Sequence, residues 1–150
     1  MSRIYTTIMD TATVASAADL IEIAPASAKP IKIHRVTVSQ HASESSEQLP
    51  VAFLTVTSAG AGGTTPSAVQ HCPGDAACSA VLAANNSALA SGTITTCWKR
   101  GDNALNGWDY DPTHAELFEI QNPNIAVVRL ITAPSTSMTM TCVVTYEEDG

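Results

Sequence analysis

The residues able to do chemistry are dispersed along the chain. Four histidines, His34, His41, His71 and His114, lie in different segments. Serines are plentiful, but none occupies the Gly-x-Ser-x-Gly elbow that exposes a nucleophile above a sheet. Asp109, Asp111, His114 and Glu116 form the densest titratable cluster. Asp109-x-Asp111 offers oxygen ligands of the kind calcium takes. Trp108 and Pro112 interrupt the acidic spacing of a calcium loop, so these acids read as a solvated turn. Cys72 and Cys78 flank Pro73-Gly74-Asp75, a tight turn that can bring two sulfurs together, while synthesis in a reducing compartment favours free thiols. Both states fit the spacing. His71 precedes Cys72, but two further ligands at zinc spacing are missing. The glycine-rich run 59–66 lacks the lysine and the following helix of a phosphate loop. The chain therefore reads as a non-enzyme with no cofactor and no metal site. Trp108 and Tyr110 are the residues left over, as a sugar-stacking platform or, more commonly, as anchors of a sandwich edge or a subunit interface.

The elements that must carry these residues are strands. Residues 137–146 alternate strictly. Met138, Met140, Cys142, Val144 and Tyr146 share one side, and Ser137, Thr139, Thr141 and Thr145 the other. That is the two-residue period of a strand with one buried face, and β-branched threonine suits a pleated outer side. Further strands are expected at residues 3–9, 19–23, 31–40, 49–58, 93–99, 115–121 and 125–132. Residues 79–90 fit a strand or a short helix. In the third strand Ile31 and Ile33 are out of phase with Val36 and Val38, which places a bulge at His34-Arg35. Residues 41–48 and 59–66 read as exposed loops. Asn122-Pro123-Asn124 reads as a hairpin-like turn, and the acidic end 147–150 as solvated. Short strands at turn-marked spacing predict one all-β domain over residues 1–150, an antiparallel β-sandwich of jelly-roll type with long loops.

Composition narrows the partners. Charged residues are 14% of the chain, and the net charge is −7. Few cations and an acidic balance argue against nucleic acid and against anionic membranes. No apolar run reaches the ~18–20 residues of a spanning helix. The N-terminus has no apolar signal core, so synthesis in the cytoplasm of the host cell is expected. The neutral, hydroxyl-rich surface fits a protein partly covered by neighbours.

Several motifs, in this order, resemble the small structural proteins of tailed bacteriophages. They are Asp19-Leu20-Ile21-Glu22-Ile23 with Ala24-Pro25, then Val38-Ser39-Gln40, then the glycine-rich stretch ending in Thr64-Thr65-Pro66. Asn85-Asn86-Ser87, Gly107-Trp108-Asp109-Tyr110 with Pro112, Ala133-Pro134 before Met138-Thr139-Met140, and Tyr146-Glu147-Glu148 complete the pattern. The cysteines and His71 lie outside it. The resemblance implies a capsid decoration, or cement, protein on the outer surface of the virion head. Its implied partners are the major capsid protein and copies of itself, most simply a trimer. Arg3, Ile4, Tyr5 and Thr6 are the expected contact segment, since an extended terminal strand can add to a sheet edge; pairing of this segment within its own sheet fits the sequence equally well. Trp108 and Tyr110 are the expected subunit contacts. The alternative is a tail-tip or fibre-associated module that binds a host receptor or glycan.

Overall fold

Eleven strands, β1 (Arg3–Val14), β2 (Ala18–Ala24), β3 (Ile31–His41), β4 (Gln48–Val56), β5 (Ala68–Gln70), β6 (Val81–Asn86), β7 (Thr95–Asn103), β8 (Trp108–Tyr110), β9 (Glu119–Ile120), β10 (Ile125–Leu130) and β11 (Met138–Glu148), make up the computed structural model. It describes residues 1–41 and 46–150. The loop expected at 41–48 lies largely outside the described residues.

The strands form two antiparallel sheets. One runs β5-β1-β11-β3-β8, with β9 also on β3, and the other β6-β2-β10-β4-β7. The pairing is nested: β1 with β11, β2 with β10, β3 with β8, and β4 with β7. This first-with-last order is the jelly roll expected from the sequence.

β11 lies between β1 and β3, and its residues alternate as their types require. Met138, Met140, Cys142, Val144 and Tyr146 are buried, whereas Thr139, Thr141 and Thr145 are partly exposed. Tyr146 stacks on Tyr5 of β1 with ring centroids 5.6 Å apart. The bulge predicted in β3 is present. Thr145 pairs with Arg35 and Tyr146 with Ile33, so His34 is the inserted residue. The insertion brings Ile31, Ile33, Val36 and Val38 all onto the core side. His34 accordingly sits outside and meets Glu147, Nε2 to Oε2 at 2.9 Å.

Four local expectations change. Residues 115–121 are not one strand but a 3-10 turn, His114–Glu116, followed by the two residues of β9. The Asn122-Pro123-Asn124 turn is no hairpin, because β9 pairs with β3 in one sheet and β10 belongs to the other. The end of the chain is not all solvated: Glu148 is buried and accepts the backbone N–H groups of Ser79 and Ala80. The glycine-rich run is an exposed loop as expected, but it is paired rather than free.

That last change sets the architecture. Segments 58–64 and 84–91 pair with each other through Ser58–Ser91, Ala61–Ala88 and Thr64–Ala84. They fold over the outer side of the second sheet, where Ala52, Leu54, Val56, Ile125 and Val127 form a separate apolar cluster with Ala90. Every residue of β10 is buried as a result. Two carboxylates of β2 pin this cover. Asp19, with no exposed surface, accepts the Ala90 N–H at 2.6 Å and pairs with the Arg129 guanidinium. Glu22, 3% exposed, accepts from the Gly60 N–H at 3.1 Å and from the Asn86 amide at 2.6 Å. A Cβ at Gly60 would run into that carboxylate and the Ala88 carbonyl, and one at Gly63 into the Ala84 carbonyl. The glycines thus serve close approach.

Two predictions follow from the packing. Met140→Asp places an unpaired charge in the core and costs at least about 4 kcal/mol, enough to prevent folding, whereas Thr139→Asp on the opposite side shifts stability by only about 0.5 kcal/mol. Denaturant titration of both proteins checks this, and parent-like unfolding of Met140→Asp would contradict the assigned core face. Burial pushes the Glu22 carboxyl up from its ordinary value, and the Asp19 charge adds to the rise, while Asn86 and Gly60 oppose it. The folded state therefore holds the Glu22 proton more tightly than the unfolded chain. Its stabilising contribution is complete below the ordinary glutamate range and is lost as pH rises through the raised value. Relative to Glu22→Gln, the parent should lose stability across that interval and level off above it. Paired melts over pH measure the difference.

Candidate functional site

With one sheet covered by its own loops, the outer side of the other is the large sheet face left open. β1 and β11 supply its centre. Ile4, Thr6 and Ile8 alternate with the buried Tyr5, Thr7 and Met9, and Ile4 and Ile8 remain 38% and 43% exposed. Thr6 pairs with Val69 of β5 on one side and Thr145 of β11 on the other, and Ile8 pairs with Val143. Across β11, Val143 faces Thr37 and Thr141 faces Ser39. The face therefore presents Ile, Val, Thr and Ser with charge at its margins. Its hydroxyls are ordered: Thr6 Oγ1 lies 3.1 Å from Thr145 Oγ1 and 2.7 Å from His71 Nε2, and the Thr11 N–H donates to Thr141 Oγ1 at 3.1 Å. Fixing hydroxyls and β-branched side chains in advance lowers the entropy lost when a partner is met.

A second feature lies where the sandwich edge strands β7 and β8 meet. Trp98 and Tyr110 approach with centroids 5.5 Å apart, and Phe53 lies 5.7 Å from Tyr110 on the core side. Beside them a cleft of about 680 Å³ is lined by Trp98, Tyr110 and Phe118 together with Asp109, Asp111 and Glu116. The 3-10 turn shapes its wall. Glu116 accepts from the Thr113 hydroxyl at 2.8 Å and from its N–H at 3.2 Å, a capping box. These bonds hold the Glu116 carboxyl below its ordinary value, hydroxyl first.

The structure separates the contact residues expected from the sequence. Ile4 and Thr6 lie on the open face. Arg3 is partly exposed and faces Asp75 at 3.8 Å. Tyr5 is wholly interior and donates to the Ala76 carbonyl at 2.8 Å. Trp108 is buried, with its indole N–H on the Leu49 carbonyl at 3.0 Å. Tyr110 is nine-tenths buried. Tyr5 and Trp108 offer no surface to a neighbour, because parity on β1 and β8 turns them inward, and Tyr110 shows only the side that lines the cleft. Nor is the start of β1 a free strand. Residues 3–7 pair with β11, Tyr5 to Thr7 also pair with β5, and the Ile4 carbonyl takes the His71 N–H. The expected edge addition by this segment has no open edge to use.

Trp98 is the cleft aromatic that sequence reasoning missed. The strand at 93–99 was legible, but not that it closes the sheet edge beside Tyr110. The remaining candidates for chemistry are otherwise engaged. Asp109 accepts from Arg35 at 3.4 Å and Thr37 at 3.3 Å. All four cysteines are free thiols, and burial pushes Cys142 strongly up. Among the described residues no group of three or more His, Cys, Asp or Glu is placed to share a metal ion.

The interior placement of Trp108 has a measurable consequence. Trp108→Phe removes the indole N–H bond to the Leu49 carbonyl and opens a void, and should cost about 2–4 kcal/mol. A melting curve superimposable on the parent's would return Trp108 to the surface. Compared with known proteins, the chain matches no family model, no curated protein and no solved structure.

Proposed function

We propose that the protein is a bacteriophage capsid decoration protein, held on the outer surface of the head and acting without catalysis. The observation that carries this reading is the asymmetry of the sandwich. Its own loops cover one sheet, while the other presents a hydroxyl-rich face with exposed Ile4, Ile8 and Val69. Such a face suits another protein's surface better than a small substrate. The motif resemblance and the acidic net charge support the same reading, since the outside of a head faces away from packaged nucleic acid. The jelly roll alone supports it weakly, because one fold hosts many functions.

The partners in this reading are the major capsid protein and two further copies of the chain. Closed symmetry is the common outcome for soluble homo-oligomers. A trimer touching several capsomers gains avidity of ~10²–10⁴ over one contact. Binding only the assembled shell stabilises it by mass action. The aromatic cleft favours the second reading, a tail-tip or fibre-associated module that holds a host receptor or glycan.

Heads made with and without the protein distinguish the two. Decoration predicts hundreds of copies per particle, the multiplicity of an icosahedral shell, and heads that leak genome at lower temperature when it is missing. Heads of full stability that fail to adsorb to cells would overturn decoration in favour of the tail.

A further inference from the structure

The cleft between β7 and β8 carries an inference of its own, independent of head or tail placement. Its aromatic lining comes from three elements, with Trp98 on β7, Tyr110 on β8 and Phe118 just after the 3-10 turn. Its charged lining is entirely carboxylate, from Asp109, Asp111 and Glu116. Arg35 answers Asp109 from the neighbouring strand β3. Asp111, which feels the Arg35 charge from a distance, and Glu116 form no ion pair among the described residues. The buried Tyr110 adds a second, separate sign. Its hydroxyl has no hydrogen-bond partner among the described residues, although an interior hydroxyl ordinarily has one.

Carboxylates around an aromatic floor match a cation. An ammonium or guanidinium group over an indole face gains about 0.5–2 kcal/mol from the ring, and more as water leaves. Guanidinium fits best, because it stacks flat on an aromatic ring while its five N–H groups remain free for carboxylate and hydroxyl oxygens. The cleft is an open groove at the margin of the molecule, and its volume lies in the range of sites that hold a whole side chain with flanking backbone. We propose that this cleft is a docking site for an arginine or lysine side chain presented by a partner protein, with Trp98 as the stacking face and Asp111 and Glu116 as the counter-charges.

The test uses the capped tripeptide Gly-Arg-Gly, its lysine counterpart, and the citrulline counterpart, which keeps the shape of arginine without the charge. Maltotriose serves as the glycan probe. Each is titrated into the whole protein while the indole N–H resonance of Trp98 is followed. The arginine and lysine peptides should give saturable shifts at millimolar concentration that weaken with salt, and citrulline should bind at least about tenfold more weakly. In Trp98→Leu, followed instead at the backbone amide resonances of Tyr110 and Phe118, the saturable shifts should disappear. The paired substitution Asp111→Asn with Glu116→Gln should reduce affinity by about tenfold while leaving the fold intact, since glutamine can still complete the capping box. Equal binding of citrulline, absence of saturation, or shifts that persist in the paired variant would overturn the assignment. Binding of maltotriose in place of the cationic peptides would make the cleft a glycan site. Any of those outcomes leaves particle binding through the open sheet face standing, because that reading is scored on heads.

Discussion

Two buried carboxylates decide what kind of surface this protein has. An ionised side chain in an interior is strongly unfavourable unless it is paired and hydrogen-bonded. Asp19 and Glu22 meet that condition only because two loops come down onto β2 and supply backbone N–H groups from Ala90 and Gly60. The arrangement is reciprocal. The carboxylates hold the loops, and the loops with Arg129 and Asn86 neutralise and solvate the carboxylates. Without the carboxylates, the Ala90 and Gly60 N–H groups and the Arg129 guanidinium lose their partners under the cover. The outcome is a third layer over one sheet and a bare face on the other.

That asymmetry joins fold to function. A sandwich with two bare faces has no preferred side for a partner, and one with two covered faces has no sheet surface to offer. Here the bare face is built on β11 and its two long neighbours, β1 and β3. The chain ends lie together at its margin, with Ser2 bonded to Asp149 and Lys32 to Asp149 at 3.3 Å.

Periodicity made the skeleton legible. The alternation of Met138 to Tyr146 identified a one-face strand, and the phase slip at His34 located a bulge, because both are local patterns of side-chain size and polarity. The third layer was not legible. Asp19 and Glu22 look like the solvent side of a strand, and the groups that bury them arrive 71 and 38 residues further along the chain. The contact aromatics were misplaced for a different reason. Tyr5 shares parity with Met9, and Trp108 and Tyr110 flank an outward Asp109, so alternation already pointed them inward. Trp98 carried no local sign, since its importance depends on β7 being an edge strand beside β8. The tripeptide Asn122-Pro123-Asn124 marked a turn correctly, but a turn residue does not say which sheet the chain enters next.

The central claim is that the open face of the β5-β1-β11-β3 sheet is the surface that meets the particle. Side-chain footprinting with hydroxyl radicals, on the free protein and on the same protein bound to virions, tests it most directly. Ile4, Ile8, Val69 and Val143 should become protected on the particle, while Leu89 in the covering loops keeps its reactivity. Protection of Leu89 with unchanged oxidation of Ile4, Ile8, Val69 and Val143 would show that the protein binds through its covered side, and would contradict the account.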